Sequence, residues 1–241
     1  MTTLTKTAAW HGDPALKDEV LTRLREHRAA DAIIQGLYQQ YDPGLAVQYR
    51  GCAIGCTLPL QETNPVPGRH EVAGPGAGWH AEVERLYGIP RPVAHLIDRI
   101  FEGLPTDEAG DFAVAVIEAV PVGADLSMVS SRLMLDILAD DEYGVLQRTR
   151  DGSKARTAVE TVIGLYRRQL AGDEPSTEEW KKAAAAATAA ATAATAAAAY
   201  AAAAYAADAA TYATYATYAA DARPSHWRWT ADRLIHHLTT T

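Results

Sequence analysis

Apolar residues recur at helical spacing through most of the chain ahead of Gly172. Leu16, Val20, Leu21 and Leu24 share one face of a 3.6-residue period, and the pattern runs on through Ile33, Ile34 and Leu37. Asp13-Pro14 opens this helix as an N-cap followed by proline at the first helical position, and Asp42-Pro43-Gly44 ends it. Helical pattern returns over residues 79–87, stops at Gly88, and resumes after Pro90 and Pro92 through Phe101. A Thr106-Asp107-Glu108 cap predicts another helix carrying Phe112, Val116 and Val120. Residues 126–139 and 153–170 complete the set. The stretch between Arg50 and Gly78 is irregular, because Pro59, Pro65, Pro67, Gly74, Pro75, Gly76 and Gly78 forbid long regular elements. No segment alternates with the period of two expected of a half-buried sheet. The predicted class is all-α.

The pattern then changes. Residues 183–222 are alanine interrupted almost only by Thr and Tyr, and alanine is the strongest helix former because it loses no rotamer freedom. Ser176 and Glu179 form a capping-box signature ahead of the tract, and Pro224 predicts a break or kink behind it. Beyond the break, Trp227, Trp229, Leu234, Ile235 and Leu238 predict a short amphipathic helix. The expected organisation is a helical globular domain over 1–172, with a Pro/Gly-rich loop at about 57–78, followed by an attachment over 173–241.

On the tract, Thr188, Thr192 and Thr195 fall on one stripe, while Tyr200, Tyr205, Tyr212, Tyr215 and Tyr218 spread over a wider arc with Asp208. A scaffold helix packing its alanine face accounts for this. So does self-association, since small side chains let two helices approach closely. Ice binding is an alternative, but the alanine-rich antifreeze helices repeat threonine about every eleven residues, and the spacing here drifts.

Composition narrows the classes of function. The net charge of -8 and the lack of a basic stripe argue against a nucleic-acid partner. Alanine is only marginally apolar and Asp208 interrupts the tract, so a membrane partner is not expected. No signal-peptide core stands at Met1–Lys6, and two cysteines make no disulfide framework; a cytoplasmic protein is expected.

Gly51-Cys52-Ala53-Ile54-Gly55-Cys56 is the leading place for chemistry. Cysteines four apart share a helix face, and with His80 (His70 also lies downstream) they are candidate ligands for a metal such as zinc. Alternatively Cys52 is a nucleophile at a helix start, with His80 as base and Glu84 orienting it. The plainer reading is two small buried thiols beside glycines needed for close packing. Other polar candidates for ligand binding are His11, Asp13, the i,i+4 pair His27 and Asp31, and Arg99 with Glu102, which are also spaced for an intrahelical ion pair.

His11-Gly12-Asp13-Pro14, Gly51-Cys52-Ala53-Ile54-Gly55-Cys56 and Arg99-Ile100-Phe101-Glu102-Gly103-Leu104 resemble segments of a family of uncharacterised proteins from bacteria and tailed phages. Its members often end in an alanine-rich helix and a short Trp/Leu segment, similar to Trp229–Leu234 here. The resemblance spans nearly the whole chain. It implies that polar residues in the shared segments are site candidates, and it implies no activity. Relatives tend to carry a histidine soon after the second cysteine, where Leu58 and Pro59 stand in this chain. The leading expectation is a non-enzymatic helical protein that assembles with itself or a helical partner through the Ala/Thr/Tyr helix. The alternative is a small-ligand or metal-dependent, hydrolytic site around Cys52, Cys56 and His80.

Overall fold

A computed structural model of the chain describes residues 8–60, 78–194 and 224–241. The described residues form nine α-helices and one two-stranded ribbon, so the architecture is all-α in the main. They fall into two compact units, one of Met1–Ser130 with Trp227–Thr241 and one of Ser131–His226.

In the first unit, α1 spans Pro14–Ala29. Asp13 caps it as expected, its Oδ1 accepting the Ala15 N–H at 2.8 Å, with Pro14 behind it. A left-handed turn precedes the cap: Trp10, His11 and Gly12 have φ of 59°, 51° and 77°. Left-handed backbone is costly for Trp and His. Burial offsets that cost, since Trp10 is fully buried and its Nε1 donates to the Val120 carbonyl at 3.0 Å. Val20, Leu21, Leu24 and His27 form the buried face of α1.

The helix does not run on through Ile33, Ile34 and Leu37. It stops at Ala29, Asp31 turns left-handed (φ 49°), and Ile34 N–H donates to the Gly51 carbonyl instead. The chain then forms β1 (Gln39–Tyr41), antiparallel to β2 (Tyr49–Gly51) with Gln40 opposite Arg50. Strands of three residues are too short to show an alternating pattern, which is why the sequence did not reveal them.

Helix α2 (Ala53–Thr57) follows at once and packs among α1, α3 (Gly78–Tyr87) and α4 (Arg91–Gly103). Val93, Ala94, Ile97, Ile100 and Phe101 are the buried stripe of α4; each large side chain among them stabilises the unit by about 2 kcal/mol. Gln35 caps the far end of α4, its Nε2 donating to the carbonyls of Phe101 (2.7 Å) and Leu104 (2.8 Å). Helix α5 (Thr106–Ala119) is not capped by Thr106; that hydroxyl donates to Gln35 Oε1, and Pro105 holds the cap position. Helix α6 (Val129–Ala139) starts three residues later than the sequence suggested, after the Asp125 carboxylate accepts the Ser127 N–H.

In the second unit, α7 (Lys154–Leu170) is capped by Ser153 and packs against α8 (Thr177–Ala194). The capping box is present: Glu179 N–H donates to Ser176 Oγ at 3.3 Å, and Glu179 Oε2 accepts the Ser176 N–H at 2.8 Å. Gly172 (φ 84°) makes the turn between α7 and α8, and Arg168 bridges Asp173 and Glu179 across it. Trp180 of α8 packs on Tyr166 of α7, ring centroids 4.9 Å apart. Of the threonine stripe, Thr188 bonds back to the Ala184 carbonyl. The side chain of Thr192, and all of Thr195, Tyr200, Tyr205, Tyr212, Tyr215 and Tyr218, lie outside the described residues. Helix α9 (Pro224–Thr239), which belongs to the first unit from Trp227 on, begins at the proline where a break was expected. Among the described residues no helix is long and apolar enough to cross a membrane.

Candidate functional site

The Gly-Cys-Ala-Ile-Gly-Cys segment wraps around one peptide group, the carbonyl of Tyr38. Cys52 N–H donates to it at 3.1 Å. A β-carbon at Gly51 or at Gly55 would overlap that same oxygen, so both glycines are required by close approach. Cys52 is the N-cap of α2, with Sγ accepting the Gly55 N–H at 3.3 Å. Cys56 sits a turn later, its thiol donating to the Gly51 carbonyl at 3.4 Å.

Neither thiol is poised as a thiolate. Cys52 is 5 % exposed, and burial followed by the nearby Asp98 charge raises its pKa well above the ordinary value. Burial pushes Cys56 up to about 12. A reactive cysteine needs an electropositive, accessible setting, and α2 is too short and too deeply buried to provide one. His80 does not face a Glu84 partner; its Nε2 lies 3.3 Å from Asp98 Oδ2. Cys52, Cys56 and His80 are not gathered as a ligand set, because the Cys56 thiol turns inward to backbone carbonyls. Among the described residues no group of three His, Cys, Asp or Glu side chains is placed to hold a metal ion.

The structure instead assembles a polar cluster where α3 meets α4. His80 comes from α3, and His95 and Asp98 come from α4. The His80 and His95 rings stack with centroids 3.7 Å apart. Arg91 Nε is 3.4 Å from His95 Nε2, one turn earlier on the same helix. The His80 and Asp98 side chains are 20 % and 31 % exposed, so the pair is open to solvent on one side and rests near the Cys52 thiol on the other. Glu102 continues the stripe, its two oxygens accepting the Gly36 N–H at 3.1 and 2.9 Å. Burial raises its carboxyl, the Gly36 N–H opposes that, and the Asp98 charge adds to it. No Arg99–Glu102 ion pair is present among the described residues, since the Glu102 carboxylate is turned to Gly36.

Beside the cysteine segment, Tyr38 and Trp79 stack at 4.0 Å, 19° from parallel. Tyr38 Oη and Trp79 Nε1 are both buried without a hydrogen-bond partner among the described residues. Burial raises the Tyr38 phenol far above its ordinary pKa, so it stays a neutral donor.

The remaining candidates are scattered. His11 is exposed, with Nε2 3.1 Å from the Arg85 carbonyl, and Asp13 serves as a cap. His27 and Asp31 do not pair, because α1 ends between them. His27 is buried against Tyr49, its Nδ1 bonded to the Arg23 carbonyl and its Nε2 unpartnered among the described residues. Asp31 bonds to Arg28. His95, Asp98, Tyr38 and Trp79 were not singled out from the sequence. The signal for the first two was there: His95, Asp98 and Glu102 stand three and four apart, a polar stripe opposite the apolar one.

The fold and the cluster define a two-unit helical protein with a carboxylate–imidazole pair at a helix–helix edge. No protein-family model matches the chain, and no curated protein or solved structure matches it.

Proposed function

We propose that the protein binds a small ligand at the α3–α4 edge, with His80 and Asp98 as its acid–base pair. The observation that carries this is the 3.3 Å approach of His80 Nε2 to Asp98 Oδ2, made between two helices and left partly open to solvent. A carboxylate at Nε2 selects the tautomer with its proton there, which leaves the lone pair of Nδ1 to accept a proton from a ligand or a water molecule. Asp98 then stabilises the imidazolium that forms. The neutral Cys52 thiol is packing beneath the pair and takes no covalent part. The chemistry within reach is binding of a protic ligand and hydrolysis by an activated water.

Thermal-shift screening of the full chain against a metabolite library, with ester, amide and phosphodiester reporters in parallel, tests the reading. A hit is expected to lose its effect in His80→Asn and Asp98→Asn, and any turnover to fall by about 10²-fold or more. Hits that survive both substitutions unchanged, or no hit from either screen, would remove the site.

A further inference from the structure

Arg23, Arg25, Arg28, Arg50, Arg85 and Arg228 of the first unit each hold a carboxylate. Arg91 differs. Among the described residues its one polar side-chain contact runs from Nε to His95 Nε2, at 3.4 Å. That contact uses Nε alone, so the terminal NH2 groups of the guanidinium have no acceptor there. Nor does Arg91 serve the helix that carries it. A cation opposes the macrodipole at the amino end of a helix, as a carboxylate does at the carboxyl end. Helix α4 has both: Arg91 is its first residue and Glu102 its last but one, with no acid in the first turn and no base in the last. Gly36 accounts for Glu102, since its N–H is bonded by both carboxylate oxygens.

What Arg91 does adjoin is the acid–base pair. Its contact to His95, the His95–His80 stack at 3.7 Å and the His80–Asp98 approach at 3.3 Å make one continuous row. A guanidinium at one end of such a row matches the paired oxygens of a carboxylate or phosphate, which its planar fork binds by two parallel hydrogen bonds. On the reading of His80 and Asp98 as the acid–base pair, we infer that their ligand is a small acid, with its carboxylate or phosphate held by Arg91 and its protic group at His80. From Arg91 to His95 the helix rises roughly 6 Å, so the two groups lie a few bonds apart in the ligand. Asp98 stands roughly 10 Å along α4 from Arg91, far enough that its charge weakens the anion's binding little in water.

Side-chain NMR of the full-length protein, following Arg91 Nε–H and the His80 and His95 rings, tests this with acetate and inorganic phosphate as probes. Sodium chloride at matched ionic strength is the control and should give no saturable movement. Saturable movement with acetate assigns a carboxylate, and with phosphate a phosphoryl group; either supports the assignment. Arg91→Gln should weaken the probe that binds by about tenfold or more, and Arg91→Lys should restore part of the loss. A role confined to placing His95 would leave the probe's affinity unchanged in Arg91→Gln. That result, or no saturable movement with either anion, would overturn the assignment of Arg91. The metabolite screen keeps the two readings apart. Hits indifferent to His80→Asn remove the acid–base pair even where the anion binds, and hits that need His80 but not Arg91 remove the anion site alone.

Discussion

The carbonyl of Tyr38 occupies the space that a β-carbon on Gly55 would need, and the same oxygen accepts the N–H of Cys52. The two glycines of the cysteine segment are therefore spacers around a single peptide group. Gly55→Ala is expected to destabilise the first unit by about 3 kcal/mol in urea unfolding, because backbone has to move. Gly164→Ala in α7 is the contrast: nothing lies within 4 Å of its added carbon. That change should stabilise by about 0.5–1 kcal/mol.

His27 makes the first unit acid-sensitive. Its pKa is lowered in the folded chain by burial, with the Arg23 carbonyl bond opposing and the Arg23 charge assisting. Above the unperturbed value of 6.5 it is neutral in both states and costs nothing. As the pH falls through 6.5, the unfolded chain takes up a proton that the folded chain resists, so stability drops. Urea midpoints should decline between about pH 7 and 5, and His27→Phe should flatten that slope in the first unit. An unchanged slope would dismiss His27 as the cause. His226, lowered by burial and then by Arg148, gives the second unit a decline of the same sign.

The start of α8 responds in a lower window. Arg168, then the Ser176 backbone and hydroxyl, hold Glu179 down to about 2 from 4.5. Its contribution is present above 4.5 and fades as the pH falls toward about 2. A carboxyl NMR titration of Glu179 checks this directly. Ser176→Ala should cost about 1 kcal/mol of stability, as for other N-caps, and move the Glu179 midpoint upward.

Asp98 acts on Cys52 through its charge. Removing that charge in Asp98→Asn should lower the Cys52 titration, followed by thiolate absorbance in a Cys56→Ala background. The midpoint stays above that of a free thiol, because burial is the larger cause. No movement on removing Asp98 would separate the carboxylate from the thiol.

Periodicity made the helices legible, and cap chemistry fixed two of their starts: Asp13-Pro14 and the Ser176/Glu179 box both stand where the residues predicted. The cysteine segment was legible as a special place, but its purpose was not. Spacing alone puts Cys52 and Cys56 on one face, whereas the direction of each sulfur depends on the Tyr38 peptide that the glycines admit. His27 and Asp31 failed as a pair because one left-handed residue ended α1 early. His80 found its partner on α4, and a contact between helices leaves no trace in local spacing. The stripe of His95, Asp98 and Glu102 was visible, yet a polar stripe is the ordinary exposed face of a helix until a second helix lays an imidazole across it.

The packing of Trp227 against Gly103 at the end of α4 also has a consequence for synthesis. The ribosome makes α4 and α5 long before it makes the helix that covers them, with the whole of Ser131–His226 in between. Local helices form as they emerge, but the body begun near Ala9 stays open until residues 227–241 are free. A chain interrupted in the alanine tract therefore carries an uncovered apolar surface, a mark by which chaperones and proteases distinguish it from the finished protein.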